Sequence, residues 1–349
     1  MDISVVVPAY NAARTVAETL ESILAQSLPP REVVVVDDGS RDGTLEVLRT
    51  FTDRVRVKTQ PNSGVSATRN RGVEEAAGEW IAFCDADDVW HPDKLRVVAA
   101  VAASHPDVEL LFHDFWVIAG ETIIETRATH SREHSLFPLF KEGLTTMRKV
   151  LPLESITRVD DAPPPLSEVT AWLGHPFRWL LFGAIVQPST VVMKRSTFLD
   201  LGGFDSSFRY AEDGEFFLRA AKAMPFLWID ASLTGYRRAA GTLLSGNMLP
   251  TLDGALKAVV KHGVDDATVY QAHRRWVNRA VARRFARVGY YCLTELRRPE
   301  ARRYARTALS YRPLDALAWT IFIASLVPAP CLRVARRAKA SLSTQRRHE

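Results

Sequence analysis

Short apolar runs alternating with helical patterns constrain the first hundred residues most. Ile3–Val7, Val33–Val36 and Trp80–Cys84 are rich in β-branched or aromatic residues and leave almost no polar position on either alternate face. A strand that is apolar on both faces must be covered on both, as in a parallel sheet under helices. Between the runs the spacing changes. Ala13, Val16, Ala17, Leu20, Ile23 and Leu24 recur at three and four residues and predict a helix, with Asn11 as its expected cap. Residues 44–51 and 65–77 predict two more helices, with a strand over Val55–Lys58 between them. Pro92, at an expected first helical position, opens another that runs to about Ala103. The alternation predicts an α/β fold with a mostly parallel sheet flanked by helices. Such sheets bind ligands beyond the carboxyl ends of their strands, so the polar clusters there are expected to converge on one crevice.

Those clusters carry the chemistry. FCDADDVWH, residues 83–91, holds Asp85, Asp87 and Asp88. At an effective dielectric of about 20, two such charges roughly 5 Å apart repel by about 3 kcal/mol. If the segment continues the strand, Asp85 and Asp87 point to one side. Hard carboxylate oxygens with open positions suit Mg2+ or Mn2+, which retain water and phosphate ligands. Capping of the helix near Pro92 is the competing reading of the same carboxylates. In VVVVDDGSRDGT (33–44), Asp37 and Asp38 are turn formers. They are also acceptors for a base imide or a ribose hydroxyl. NSGVSATRNRG (62–72) sets Arg69 on a helix that starts near Gly64, where backbone amides and an arginine fork suit a diphosphate. A capped surface helix reads equally well there. AEDGE (211–215) brings Glu212, Asp213 and Glu215 into a first helical turn, which the helix dipole also favours.

In this order the segments resemble glycosyltransferase family 2, whose nucleotide-binding domain is of the GT-A type. GGFD (202–205) and AEDGEFFLRA (211–220) extend the resemblance over roughly residues 2–245. It implies a GT-A-like, Rossmann-related sheet. The implied activity is metal-dependent, inverting transfer of a sugar from a nucleoside diphosphate donor, UDP or dTDP, to a hydroxyl of a glycan or lipid-linked acceptor. On that resemblance Pro8, Ala9 and Tyr10 line the nucleotide pocket, Asp38 contacts the base and Arg69 meets the diphosphate. Asp85, Ala86 and Asp87 form the donor motif, with Asp85, Asp87 and Asp88 on Mg2+ or Mn2+. Asp213 is the general base, and Trp90, Glu212 and Arg237 lie on the acceptor side. Many relatives carry a histidine soon after the E-D pair; YRRAAGTLLSG (236–246) has none and offers Arg237 or Arg238 instead.

The expected division is a nucleotide-sugar-binding half over 1–115, an acceptor-binding and catalytic half over 116–250, and a helical basic region over 251–349. That last region holds 20 Lys and Arg against 7 Asp and Glu, a balance of +13 in a chain whose net charge is +5. Residues 313–332 are apolar but interrupted by Pro328 and Pro330, too short to cross a bilayer. With Arg333, Arg336, Arg337 and Lys339 they suggest an anionic membrane contact over 313–339; a core-packing terminal helix or a contact between subunits would hide the same apolar residues. No aromatic residues interleave with the basic ones in a nucleic-acid-binding module, so no nucleic acid is expected. Cys84, Cys292 and Cys331 are far apart and odd in number, which fits a reducing compartment. The opening MDISVVVPAYN lacks a basic n-region, so no signal peptide is expected. The expected location is cytoplasmic, peripheral on the inner membrane face. Two other classes compete: a sugar nucleotidyltransferase, against which no Gly-rich triphosphate grip is seen, and a non-catalytic membrane-associated protein.

Overall fold

The computed structural model describes residues 1–128, 148–150, 169–183, 186–238 and 248–328. Two compact units divide the chain, Met1–Gly246 and Asn247–Glu349.

In the first unit β1 (Ile3–Ala9), α1 (Val16–Leu24), β2 (Glu32–Asp37), α2 (Thr44–Arg49), β3 (Arg56–Thr59), α3 (Val65–Glu75) and β4 (Trp80–Phe83) alternate. Every residue of β1 and β4 is buried, and all of β2 but its first. The four strands are parallel in the order β3-β2-β1-β4, with Val5 facing Val33 on one side and Ala82 on the other. Helix α3 packs on β1 at Gly72, where an added Cβ would lie 2.3 Å from Val6 Cγ1. A Cβ there would force Val6 or the helix to shift.

Past β4 the sheet becomes mixed. The chain runs through β5 (Val89–Trp90), α4 (Lys94–Ala103), β6 (Leu110–Ala119), β7 (Thr122–Glu125), β8 (Arg148–Val150), β9 (Ala171–Gly174) and α5 (Phe177–Leu180). It then forms β10 (Val191–Lys194), α6 (Arg195–Asp200), α7 (Glu212–Ala223) and β11 (Phe226–Arg238). Strand β10 is antiparallel to both β4 and β6, β6 is parallel to β11, and β11 is antiparallel to β9. One sheet thus spans both halves of this unit.

Three local expectations change. Helix α1 starts at Val16 behind Thr15, not at Asn11. Asn11 instead adopts a left-handed φ of 51° and ties the loops after β1 and β2 together. The acidic segment is no strand: β4 ends at Phe83, and Asp88 N donates to Asp85 O at 3.0 Å, so the aspartates sit on a turn. The run IVQPSTVVMKR (185–195) predicts a strand; there Pro188–Thr190 form one 3-10 turn before β10 begins. The Pro-rich stretch DAPPPLSE (161–168), whose composition predicts an exposed loop, lies outside the described residues.

The second unit is helical: α8 (Met248–Val259), α9 (Ala267–Thr294), α10 (Arg298–Tyr311) and α11 (Ala316–Ala324). Its core gathers Ala282, Ala286, Ala301, Ala305, Ala308, Ala318 and Ile321, small side chains that let helices approach closely. Asp266 and Asp315 cap α9 and α11 by accepting from Val269 N and Ala318 N. Among the described residues no helix is long and apolar enough to cross a membrane. Cys84 and Cys292 are free and buried; Cys331, with Arg333, Arg336, Arg337 and Lys339, lies outside the described residues.

Candidate active site

The loops at the carboxyl ends of β1, β2 and β4 meet, as parallel strands require. Asp38 N donates to Ala9 O at 2.8 Å, Ala12 N to Thr44 Oγ1 at 2.8 Å, and Thr15 Oγ1 to Ala86 O at 2.8 Å. Pro8 and Ala9 end the buried β1, while Tyr10 stands 49% exposed at the rim. Ala86 is buried, with its carbonyl held by Thr15.

Asp38 is buried and faces its own loop. Its Oδ1 accepts from Gln60 Nε2 and Ser63 N, both at 2.8 Å, and its Oδ2 from Gly64 N at 2.9 Å. The amides of Ser63 and Gly64, just before α3, are therefore taken by this carboxylate. Asp38 organises the loop instead of presenting a free acceptor. Neighbouring Asp37 is equally buried, and its Oδ1 has no partner.

The acidic turn is held from behind. Ser189 Oγ accepts from Asp85 N at 2.9 Å, and the same hydroxyl donates to the Asp88 carboxylate. Lys94, fully buried, donates to Ser189 O at 2.6 Å and to Thr234 Oγ1 at 3.3 Å. Burial pulls its amine down to about 7 despite the Asp88 charge. Arg237 straps the front: its backbone N donates to Asp88 Oδ1 at 3.1 Å, its Nε to Asp87 O at 3.0 Å, and its terminal nitrogen to Glu18 Oε2 at 2.6 Å. Asp87 reaches the solvent-facing rim. Loss of water around its carboxyl and the Asp85 charge push it up to about 6, and burial with both neighbouring charges raises Asp88 well above the carboxylate range.

These shifts record negative charge that the protein leaves partly unrelieved. A hard divalent cation would relieve it, and Asp87 at the rim, next to Asp85 and Asp88, offers the hard carboxylate oxygens such an ion takes. Among the described residues no group of three or more His, Cys, Asp or Glu side chains is already arranged as a metal cage.

Arg69 joins the turn to α7. Its guanidinium, 4% exposed, donates to Asp85 Oδ1 at 2.7 Å and to Glu212 Oε1 at 2.9 Å, and it stacks 5.3 Å from the Phe204 ring centroid. Burial alone would lower its pKa; the Asp85 and Glu212 charges raise it. The fork expected on a diphosphate is thus occupied by two carboxylates. Ala211 precedes α7 with a left-handed φ of 58°, an unfavourable conformation for a residue with a Cβ. Asp213 follows, its Oδ1 accepting from Gly214 N at 2.7 Å. Burial and the Glu212 charge push its carboxyl up to about 7.

Trp90 does not offer a sugar platform: it is 4% exposed, and Lys94 Nζ covers one face at 3.6 Å from the centroid. Tyr236, to which the motifs give no role, stands beside the acidic turn. Strand β11 pairs Gly235 with Val89, which brings Tyr236 beside Asp88. Tyr236 is 36% exposed and edges onto Phe115. Burial of its hydroxyl and the charges of Asp88, Asp85, Asp87 and Asp213 push that group up to about 12. No periodicity flags Tyr236, Ser189 or Lys94, because each reaches the site through sheet pairing or packing.

Residues 4–145 match the family model for glycosyl transferase family 2. The putative teichuronic acid biosynthesis glycosyltransferase TuaG of Bacillus subtilis is 41% identical over 98 residues, 27% of this chain and 39% of the relative. The succinoglycan biosynthesis protein ExoO of Rhizobium meliloti is 45% identical over 97 residues, 27% of this chain and 28% of the relative. The chain thus spans less than half the length of these relatives. Among solved structures, S. aureus TarS superposes with a TM-score of 0.58 at 18% identity, covering 97% of this chain and 53% of TarS. Residues 1–349 of TarS in complex with UDP give 0.56 at 19% identity, with 93% and 89% covered, and a further TarS structure holds UDP-GlcNAc. Residues 4–145 thus match glycosyl transferase family 2, and the chain shares its fold with TarS.

Proposed function

We propose that this chain is a metal-dependent, inverting glycosyltransferase that moves a sugar from a UDP- or dTDP-linked donor to a hydroxyl of a glycan or lipid-linked acceptor. One observation carries the reading: Arg69 ties the acidic turn to the first turn of α7, whose Asp213 has a carboxyl raised to about 7. A base is most effective near the working pH, and a crowded acidic turn suits a diphosphate only with a cation between them.

Asp213 takes the proton from the acceptor hydroxyl as that oxygen attacks the anomeric carbon. The bond from that carbon to the diphosphate oxygen breaks, and the nucleoside diphosphate leaves with the electron pair. A single displacement inverts the anomeric centre and needs no enzyme nucleophile. A divalent ion held by Asp85, Asp87 and Asp88 would neutralise charge on the departing diphosphate. Arg69 fixes the spacing between donor turn and base by holding Asp85 and Glu212. Arg237 anchors the acidic turn and so supports the donor more than the acceptor. Pro8, Ala9 and Tyr10 offer the rim on which the nucleotide rests, and UDP in the fold-related TarS supports a uridine donor.

The test is product analysis. Purified chain, offered nucleoside diphosphate sugars and hydroxyl acceptors with and without Mn2+, should release nucleoside diphosphate. Release of pyrophosphate from nucleoside triphosphate and sugar phosphate would assign nucleotidyl transfer instead.

A further inference from the structure

Helix α11, ALAWTIFIA, is apolar on every side, a composition that belongs under cover. Only part of it is covered. Ala318 and Ile321 turn inward onto the helical core. Away from that core, Leu317, Trp319 and Ile323 are 43%, 45% and 58% exposed, with Leu314 at 91% just before the helix and Leu326 at 51% just after it. Single exposed apolar side chains are ordinary, but five on one helix and its two ends form a patch that marks an interaction surface.

Charge selects the occupant. Arg298 and Arg302 donate to Ser325 O at 3.1 and 2.9 Å, and Arg298 also to Leu326 O at 3.1 Å, so guanidinium groups frame the carboxyl end of the patch. Arg306 lies 5.6 Å over the Phe322 ring. Residues 251–349 carry 20 basic against 7 acidic side chains, including Arg333, Arg336, Arg337, Lys339, Arg346 and Arg347 after the patch. A second copy would set this positive field against itself. A nucleic acid would leave the aliphatic residues uncovered. An anionic lipid surface satisfies both features, because apolar side chains enter the acyl boundary while arginines meet phosphates. At nine residues, the helix is about 14 Å long and lies in one leaflet's interface.

We propose that α11 docks this chain on an anionic membrane, with Leu314, Leu317, Trp319, Ile323 and Leu326 inserted into the interface. The inference rests on the second unit alone and stands whether or not the transferase reading holds.

Co-sedimentation of the full chain with phosphatidylglycerol–phosphatidylcholine vesicles tests it, against phosphatidylcholine alone. Partition should be at least roughly ten-fold higher on the anionic vesicles and fall steeply between about 0.1 and 0.5 M salt. The double variant Leu317→Asp/Ile323→Asp, altered only at exposed positions, should keep the wild-type circular dichroism and melting curve and lose roughly ten-fold in partition. Brominated lipid should quench tryptophan emission in wild type, and Trp319→Phe should remove that component. Vesicle binding that is absent, or unchanged in the folded double variant, overturns the proposal. So does a dimer seen by light scattering that the double variant dissociates, which would assign the patch to a second copy.

Discussion

Replacing Asp213 with asparagine keeps the shape of the side chain, and the hydrogen bond from Gly214 N, while removing the titrating oxygen. The wild-type carboxyl sits at about 7 against an ordinary 3.8. A tenfold weaker acid corresponds to about 1.4 kcal/mol, so ionising this group in the folded protein costs at most about 4 kcal/mol. The residue is half-buried, and screening at its wet edge reduces the working value to about 2 kcal/mol. The folded carboxyl keeps its proton to higher pH than the unfolded one. The folded state therefore binds more protons between about pH 4 and pH 7, and stability falls as pH rises through that window. Asp213→Asn has no such dependence. In metal-free urea unfolding the variant should match wild type near pH 4 and exceed it by about 2 kcal/mol near pH 8. Its turnover, followed by nucleoside diphosphate release, should drop roughly 10²–10⁴-fold with donor affinity nearly intact. A stability difference that is flat with pH would refute the raised carboxyl. A parallel loss of donor affinity would make Asp213 a binding residue and not the base.

Three further outcomes follow from the same contacts. Asp87→Ala should abolish the divalent-dependent part of UDP binding in calorimetry, and affinity equal to wild type with Mn2+ present would remove this residue from the metal site. Arg69→Met strands Asp85 and Glu212 without their buried cation and should cost about 3–5 kcal/mol in denaturant unfolding; a loss under about 1 kcal/mol would mean that the carboxylates re-solvate freely. Gly72→Ala should cost about 1–3 kcal/mol by overpacking against Val6. Adding Val6→Ala should recover part of that loss in a double-mutant cycle, whereas strict additivity would place the strain elsewhere.

The first four strands and their helices were legible because their signals are local: two-sided apolar runs, three- and four-residue spacing, and turn residues at the ends. The acidic turn and the Glu212–Asp213 pair were legible for the same reason, since unusual charge density shows within a few positions. Orientation was not legible in the same way. Asp38 and Arg69 read as ligand contacts, yet each spends its polar atoms on protein partners. Trp90, expected on the acceptor side, is in the core.

Sequence alone determined that a parallel α/β nucleus would gather its polar loops at one edge, because burying both faces of a strand leaves only its ends for polar chemistry. Tertiary structure decided which side chains the site contains. Ser189 reaches Asp85 across 104 positions, and Arg69 reaches Glu212 across 143. Tyr236 comes beside the acidic turn only because β5 adds to β11. Pairings between distant segments follow from how the sheet closes and carry no periodic trace in the chain.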